Sequence, residues 1–171
     1  MINQKTLKKY LVYEEKTGQF KWRVRMSDKV KVGDIAGCVD SREGYRLIRI
    51  LGTLYRASRL AWLYKYGVVP KLDIDHINHN RSDDRIENLR EVPRSVNMRN
   101  GTRRSDNKSG TTGVSWSKSK DKWRAVIMVD KKYKHIGYFL TKSEAISARK
   151  KLEPLNQYHK NHGQDSFIRT L

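Results

Sequence analysis

Asp75 and His76 lie side by side within LDIDHINHN (residues 72–80), a stretch that also contains a second aspartate, a second histidine and two asparagines. Histidine can take a proton from water near neutral pH, and a carboxylate together with neutral oxygens suits a magnesium ion. Phosphodiester hydrolysis requires an activated water and a charge that neutralises the phosphate and the departing oxygen. The stretch therefore has the side chains for that chemistry, although the same residue types also make ordinary polar turns.

Two later asparagines are spaced so that they could complete such a site. Asn88 and Asn97 follow His76 by 12 and 21 residues. Between them the pattern indicates a short strand and then a short helix. A strand, loop, strand and helix of this total length could fold Asn97 back beside Asp75.

The stretch DHINHNRSDDRIENLREVPRSVNMRN (residues 75–100) resembles the HNH nucleases, in particular the phage and intron-encoded homing endonucleases whose first motif residue is Asp. The resemblance implies a ββα-metal core in which two strands and a helix hold one divalent ion, Mg²⁺ or another such as Mn²⁺. It also implies that His76 is the general base, that Asp75 and Asn97 are the metal ligands, and that Asn88 ties the loop that presents the histidine. The implied substrate is double-stranded DNA, nicked by a single chain or cut on both strands by a homodimer.

The other polar residues of this motif have simpler interpretations. Asn78 and Asn80 are typical turn formers. His79 is interpreted as a loop or phosphate-contacting residue. Asp83 and Asp84 are expected to face solvent or to cap local backbone, with a metal role as the minor alternative.

The net charge of +19, from 37 Lys and Arg against 18 Asp and Glu, indicates a polyanionic partner. Residues 1–70 contain 15 basic and 6 acidic side chains, residues 71–100 contain 6 of each, and residues 101–171 contain 16 and 6. The motif therefore lies in an electrically balanced segment between two positive flanks. In one interpretation, the positive flanks attract a phosphate and the acids of the motif hold a cation beside it. In the other, the motif is an acidic turn exposed to solvent, which would give the same counts.

Alternation of apolar and polar residues predicts short strands in the first part of the chain, and a change to 3.6-residue spacing predicts helices. The predicted strands cover residues 20–25, 45–51, 53–58 and 88–92. One predicted helix covers residues 58–66, with Ser58 as N-cap, Gly67 as the stop and one apolar face made by Leu60, Leu63 and Tyr64. A second covers residues 95–100, with Ser95 as N-cap after Pro93.

The last sixty residues predict a second module. Strands are expected over residues 113–119, 122–129 and 132–139, joined by turns at Lys120-Asp121 and Asp130-Lys131, and a helix follows. Thr141 and Glu144 fit a capping box at its start, and Pro154 is expected to end it. Alternation directs Ala125, Ile127 and Val129 toward this helix and Arg124, Val126 and Met128 away from it. The tail from residue 156 is expected to be loosely ordered apart from Phe167 and Ile168.

The stretch GVSWSKSKDKWRAVIMVDKKYKHIGYFLTKSEA is similar to the DNA-binding domain of plant ethylene-response factors, the APETALA type. That resemblance implies a three-stranded sheet that lies in the major groove, where base edges can be read. The chain departs from the plant pattern, because Ser115 and Ser117 replace strand-one arginines and strand three has Tyr133 and His135. Base reading by the family's arginines is therefore not transferable.

Candidate DNA-binding residues follow from charge and position. The arginines between residues 46 and 59 alternate with apolar positions, so one face would pack while the other meets phosphates; a solvated basic face is the alternative for each. The basic segment 103–111 is a predicted linker that could lie along DNA. The candidates are Arg46, Arg49, Arg56, Arg59, Arg103, Arg104, Lys118, Arg124 and His135.

The predicted fold class is α+β, with a central ββα-metal core preceded by short strands and a helix and followed by a three-stranded antiparallel sheet plus helix. The predicted domains are residues 1–102 for the nuclease with its β-rich N-terminal region, 103–111 for the linker, and 112–171 for the DNA-binding module and tail. The chain has no apolar run of membrane-spanning length and its start lacks a secretory signal, so we expect an intracellular protein, in the bacterial cytoplasm if phage-encoded. Its single cysteine, Cys38, excludes an internal disulfide and a cysteine-rich zinc site.

These features predict a metal-dependent DNA endonuclease of the HNH homing type. The alternative from another class is a sequence-specific DNA-binding regulator that does not cut, which the same charge and sheet would serve. An RNA-binding protein would also explain the charge. Asp75, His76 and Asn97 favour the nuclease, because a pure binding protein does not need those three residues.

Overall fold

The computed structural model describes residues 2–130 and 132–164, and their contacts divide the chain into two units between Arg94 and Ser95. Small antiparallel sheets and helices make up both units, in agreement with the predicted α+β class. The contact boundary comes earlier than the predicted domain end at residue 102. In chain order the first unit contains α1 (Gln4–Tyr10), β1 (Leu11–Glu14), β2 (Gln19–Trp22), β3 (Cys38–Val39), β4 (Arg46–Ile50), β5 (Thr53–Arg56), α2 (Ala57–Tyr66), β6 (Asp73–His76), a 3-10 helix (Ile86–Asn88) and β7 (Leu89–Val92), and α3 (Arg94–Met98) spans the boundary.

The described residues of the first unit form three sheets: the hairpin β1–β2, the three-stranded sheet in the order β3-β4-β5, and the hairpin β6–β7. The strands predicted at 20–25, 45–51 and 53–58 are present but shorter, and no prediction covered α1, β1 or β3. The prediction that Ser58 caps α2 is wrong, because the N-cap is Arg56 and Ser58 is 2% exposed inside the first turn. Gly67 ends this helix with a φ of 76°, as predicted, since glycine adopts that conformation without steric cost.

One apolar core holds the first unit together, and it reaches the motif. Ile48 and Ile50 alternate along β4, and Leu60 and Leu63 lie on one face of α2, which gives each element a single buried side. Leu89, the first residue of β7, is buried in the same cluster. The hairpin β6–β7 is therefore anchored to the core at the position directly opposite His76.

The second unit contains β8 (Val114–Ser117), β9 (Lys122–Val129), β10 (Lys132–Phe139) and α4 (Lys142–Leu155), and its sheet has the order β10-β9-β8. Strands β9 and β10 have the predicted bounds, and β8 is shorter than predicted. Ala125 and Ile127 are buried on the helix side, as predicted, and Ala125 packs in one cluster with Ala145 of α4.

Both ends of α4 bear on the predictions. Thr141 and Glu144 form the predicted capping box. The prediction that Pro154 ends the helix is wrong, because α4 includes Pro154 and continues to Leu155. A proline in the last turn removes one helical hydrogen bond, and the cap residue Asn156 supplies others by donating to the carbonyls of Leu152 and Glu153.

The predicted linker and tail are both ordered where the structure describes them. Within residues 103–111 the Ser109 hydroxyl donates to the carbonyl of Thr111 over 2.9 Å, and the segment belongs to the second unit. The prediction of a loose tail is wrong for residues 156–164, since the Tyr158 hydroxyl donates to the carbonyl of Met128 over 2.8 Å and His162 is buried. Phe167 and Ile168 lie outside the described residues. In the described part of the chain, no helix combines the length and the apolar character needed to cross a membrane.

Candidate functional site

Asp75 and His76 are the last two residues of β6, where the hairpin β6–β7 opens into a loop. Asp75 is paired in register with Arg90, and His76 is paired with Leu89. Successive strand residues point to opposite faces, so the two neighbouring side chains have different surroundings. Their exposed fractions are 7% and 4%, which makes this an enclosed polar site.

Asn88 ties the loop that follows His76 through both ends of its amide. Its Oδ1 accepts the backbone N–H of Asn78 at 3.0 Å, and its Nδ2 donates to the carbonyl of Asp83 at 2.8 Å. Its own carbonyl accepts the N–H of Ile77 at 2.9 Å. These bonds join the start and the end of the loop to the residue that precedes β7, which is the geometry expected of a residue that holds the loop in place.

Local turn bonds shape the rest of the loop. The side-chain oxygens of Asn78 and Asn80 accept the N–H groups of Asn80 and Ser82, as expected of turn formers. Asp83 caps the N–H of Arg85 and receives its guanidinium at 2.7 and 2.8 Å, and this partner holds the pKa of the Asp83 carboxyl below its usual range. His79 has a φ of 65° and is buried.

Asp84 departs from the prediction that it faces solvent or caps backbone, because it is 1% exposed and its Oδ1 lies 3.0 Å from Nε2 of His76. Burial raises the pKa of the Asp84 carboxyl, and the contact with the imidazole acts in the opposite direction. The other oxygen, Oδ2, is buried without a hydrogen-bond partner among the described residues. No local pattern in the sequence distinguishes Asp84 from Asp83 as the buried carboxylate.

An aromatic and cationic cluster lies on the other side of His76. The ring of Tyr45 is tilted against the imidazole with 5.8 Å between centroids, and the guanidinium groups of Arg56 and Arg81 lie 4.0 and 5.0 Å from the centre of the tyrosine ring. Arg56 is also paired with Glu43 at 2.9 Å. The sequence analysis did not predict Tyr45 or Arg81 as site residues. The only signal for them in the sequence is that aromatic and basic residues occur together, which is typical of cation–π contacts.

Asp75 has a strong internal partner in Arg90. Its Oδ2 accepts from Nε and Nη2 of that arginine at 2.9 and 2.8 Å. Asn97, the other predicted metal ligand, lies in α3 and is described with the second unit. Across residues 2–130 and 132–164, no group of three or more His, Cys, Asp or Glu side chains is arranged to hold a metal ion.

The four arginines between residues 46 and 59 do not share one face. Arg46 and Arg49 are three residues apart in β4 and therefore point to opposite sides, with Arg46 on the side of the buried Ile48. The expectation of a single phosphate-facing side is wrong for this pair. Arg59 donates to the carbonyls of Leu72 and Pro70 at 3.1 and 2.6 Å, so it fastens the segment that leads into β6.

In the second unit, the sheet face opposite α4 presents basic and aromatic side chains. Arg124 is exposed in β9 and is paired in register with Ser115 and Tyr138. The His135 ring lies 4.5 Å from that of Tyr138, and Tyr133 is 72% exposed. Lys118 is exposed beyond the end of β8, Arg103 donates to the carbonyl of Gly110, and Arg104 is paired with Asp106. Tyr138 was not among the predicted site residues.

Comparisons with known proteins bear on the part of the chain that contains this site. Residues 55–99 match a family model described as HNH endonuclease. The chain is also similar to "Protein 3.8" of Escherichia phage T7, with 35% identity over 82 residues that cover 46% of this chain and 68% of that protein. No solved structure matches the chain.

Proposed function

Since this chain belongs to the family of the phage T7 Protein 3.8 and contains an HNH endonuclease domain, we propose that it hydrolyses phosphodiester bonds of duplex DNA with His76 as the general base. The observation that carries the proposal is the position of His76. It ends β6, contacts Asp84 at 3.0 Å, and is followed by a loop that Asn88 ties at both ends. A ring held in this way is oriented before substrate binds, which is what general-base catalysis requires.

In this proposal, His76 takes a proton from a water molecule and the resulting hydroxide attacks phosphorus in line with the departing 3′ oxygen. Asn88 keeps the loop, and with it the histidine, in place. Arg90 lies across the hairpin, where its guanidinium carries positive charge beside Asp75. Such preorganised charge stabilises an oxyanion that develops during the reaction.

The divalent cation of HNH nucleases fits the donor chemistry of the proposed ligands. Asp75 offers a carboxylate and Asn97 an amide oxygen, and Mg²⁺ is usually bound by one or two such groups together with water and substrate phosphate. When bound, the ion would neutralise charge at the phosphate and at the departing oxygen. Because one oxygen of Asp75 already accepts two bonds from Arg90, we propose that the cation shares this carboxylate with the arginine or displaces it.

We propose that the positive flanks and the second unit bind the DNA. The exposed sheet face with Arg124, His135 and the two tyrosines suits contact with phosphates and base edges, in keeping with the resemblance to the APETALA-type domain. Arg46, Arg49, Arg56, Arg59, Arg103, Arg104 and Lys118 are the further candidates for phosphate contacts.

The narrower assignments rest on the resemblance of residues 75–100. We propose an enzyme of the homing type that uses Mg²⁺ or Mn²⁺ and acts in the cytoplasm of a bacterial host, a setting that the phage relative supports. A monomer with one site would nick one strand, and a homodimer would cut both.

The proposal is tested by incubating the purified protein with supercoiled plasmid and with phage or host genomic DNA, in the presence of Mg²⁺ or of a chelator. We expect nicks or ends at defined positions with Mg²⁺ and intact DNA with chelator. Intact DNA in both reactions, at protein concentrations where a gel shift shows binding, would overturn the proposal.

A DNA-binding protein that does not cut is the second candidate, and the state of the site favours it in one respect. Asp75 is paired with Arg90, and His76 is 4% exposed. A site in this condition could serve only to hold the hairpin. Tight binding of duplex DNA at two salt concentrations, without cleavage in any divalent metal, would favour this candidate; the salt slope alone would not, because any phosphate-binding protein shows one.

A further inference from the structure

We infer that Asp84 is a positioning residue for His76 and that the N-terminal hairpin β1–β2 fixes where Asp84 lies. The inference rests on the proposed function, in which His76 takes a proton from water. It adds two features to that function: the buried carboxylate of Asp84 as a partner of the ring, and the hairpin β1–β2 as a support for Asp84. Neither belongs to the set of residues 75, 76, 88 and 97 that the motif resemblance supplies.

The contact between Asp84 and His76 is closed to solvent. Their side chains are 2% and 3% exposed, and Oδ1 lies 3.0 Å from Nε2. An ionised carboxylate can only accept hydrogen bonds, so with Asp84 ionised the contact selects the imidazole tautomer that carries its hydrogen on Nε2. In surroundings from which water is excluded, such a bond is stronger than at the surface and limits rotation of the ring.

The position of Asp84 is set by residues far away in sequence. The hydroxyl of Tyr13, in β1, donates to the carbonyl of Asp84 at 2.7 Å across 71 residues of sequence. Tyr13 is itself buried and packs against Phe20 of β2, with 4.9 Å between the ring centroids. The hairpin is thus packed in the core and binds the backbone of the loop through the Tyr13 hydroxyl.

The turn of the same hairpin packs directly on the loop backbone. Gly18 has a φ of 73°, and a Cβ atom at this position would lie 2.5 Å from the nitrogen of Arg85 and 2.7 Å from the carbonyl carbon of Asp84. Such distances leave no room for a side chain. Glycine is therefore required here both for the backbone conformation and for the close approach.

Together these contacts hold Asp84 from two sides. The hairpin supports the Asp84 backbone, and Asn88 binds the carbonyl of the preceding residue, Asp83. The Asp84 carboxylate contacts the imidazole through Oδ1. Because Asp84 is 1% exposed, its side chain has almost no surface with which to contact DNA. Its hydrogen-bond partner is His76, and the positive charge of Arg46 also acts on its carboxyl.

The experiment compares four variants under single-turnover conditions with saturating DNA and Mg²⁺. Asp84→Ala removes the partner of the ring, and Asp84→Asn keeps an oxygen that can accept from Nε2. Tyr13→Phe removes the hydroxyl that binds the loop backbone at Asp84 and Ile86. Tyr158→Phe is the matched control, since its hydroxyl also donates to a backbone carbonyl, that of Met128, at 2.8 Å in the second unit. Thermal melting and DNA affinity are measured for each variant.

We expect Asp84→Ala to lower the cleavage rate about 10²-fold with unchanged DNA affinity, the loss typical of a misplaced reacting group. Asp84→Asn should recover part of that rate, Tyr13→Phe should lose a few-fold, and Tyr158→Phe should match the wild type. Wild-type rates in Asp84→Ala, or a loss confined to DNA affinity, would overturn the inference.

The ring itself gives a readout that does not depend on cleavage. In protein with ¹⁵N-labelled histidine, the His76 signals should show the hydrogen on Nε2 in the wild type and in Asp84→Asn, and loss of this single tautomer in Asp84→Ala. If the wild type does not cut DNA while these spectra behave as expected, the proposed function fails and the positioning stands. If all proteins show the same His76 spectrum, the positioning fails whatever the cleavage result.

Discussion

Two histidines are buried to a similar extent, one in each unit, and their partners differ. His76 is 4% exposed and His162 is 8% exposed. His76 contacts the carboxylate of Asp84 at 3.0 Å, whereas His162 stands among the charges of Arg149, Lys150 and Glu153, with its ring 4.6 Å from that of Tyr158. Burial alone therefore does not distinguish the two histidines; the carboxylate partner and the tied loop do.

The surroundings of the two rings differ in charge. Burial and the neighbouring Arg149 lower the pKa of His162 to about 4, so this ring stays neutral and acts as a packing group. His76 instead has the Asp84 carboxylate 3.0 Å from Nε2, which in the proposed mechanism would hold the ring in place. The proposed general base and the neutral His162 thus have different partners.

The largest effect outside His76 itself is expected at Asp75. Replacing Asp75 with Asn removes the charge that the proposed cation and Arg90 both require, and we expect cleavage to fall by about 10²–10³-fold. Asp73→Asn on the same strand is the matched control, because it removes the same charge from a carboxylate that contacts the exposed Arg94 at 3.4 Å. Equal rates for both variants in a single-turnover assay would remove Asp75 from the site.

The next largest effect is expected in the loop that follows His76, at Asn88. Asn88→Ala removes two hydrogen bonds to backbone groups, which should lower the free energy of unfolding by about 1–3 kcal/mol and cleavage by about 10-fold or more. Asn156→Ala in the second unit loses one comparable bond, to the carbonyl of Leu152, and should leave cleavage unchanged. Denaturant unfolding and cleavage rates of the two proteins test this; an active Asn88→Ala protein with a normal loop would contradict it.

His162 predicts a pH dependence of stability. Its folded-state pKa of about 4 lies below the value of about 6.5 expected in the unfolded chain, so the unfolded state binds more protons between these values. Stability should therefore be fully present above about pH 6.5 and should fall by about 2–3 kcal/mol as the pH drops toward 4. His162→Gln should show a shallower pH slope in melting experiments, and an unchanged slope would show that His162 does not carry the effect.

The smallest effects are expected on the exposed sheet face of the second unit. Arg124→Ala should weaken DNA binding a few-fold and reduce the slope of log affinity against log salt by about 1, since one phosphate contact is lost. Catalysis at saturating DNA should not change, because the change is far in sequence from His76 and leaves its loop intact. Lys29→Ala, another exposed basic residue, controls for net charge. A wild-type salt slope in Arg124→Ala would remove this residue from the interface.

The sequence was sufficient where a local pattern decides the structure. The alternation in β9 and β10, the capping box at Thr141 and the stop at Gly67 were all predicted and are present. The HNH resemblance was also recognisable from the spacing of residues 75–100, and a family model described as HNH endonuclease matches residues 55–99. Ser58 and Pro154 were misassigned because residue type alone suggested a helix boundary, whereas burial and the following cap placed the boundary elsewhere.

Long-range contacts explain what the sequence did not reveal. Nothing near Asp84 indicates that Tyr13 binds its carbonyl or that Gly18 packs against it, and these contacts turn an apparently exposed acid into the partner of His76. The ordered loop at residues 103–111 and the buried His162 follow equally from contacts formed within the folded second unit. Polar segments with few apolar residues look like linkers until their hydrogen bonds are known.

The central claim is tested most directly by single-turnover cleavage of duplex DNA with His76→Ala beside His162→Ala, each with Mg²⁺ and with chelator. We expect His76→Ala to lose about 10²–10⁴-fold in rate, as for removal of a general base, and His162→Ala to retain its rate wherever it remains folded. DNA binding should be retained by both proteins. Metal-dependent cleavage at the wild-type rate by His76→Ala would contradict the account.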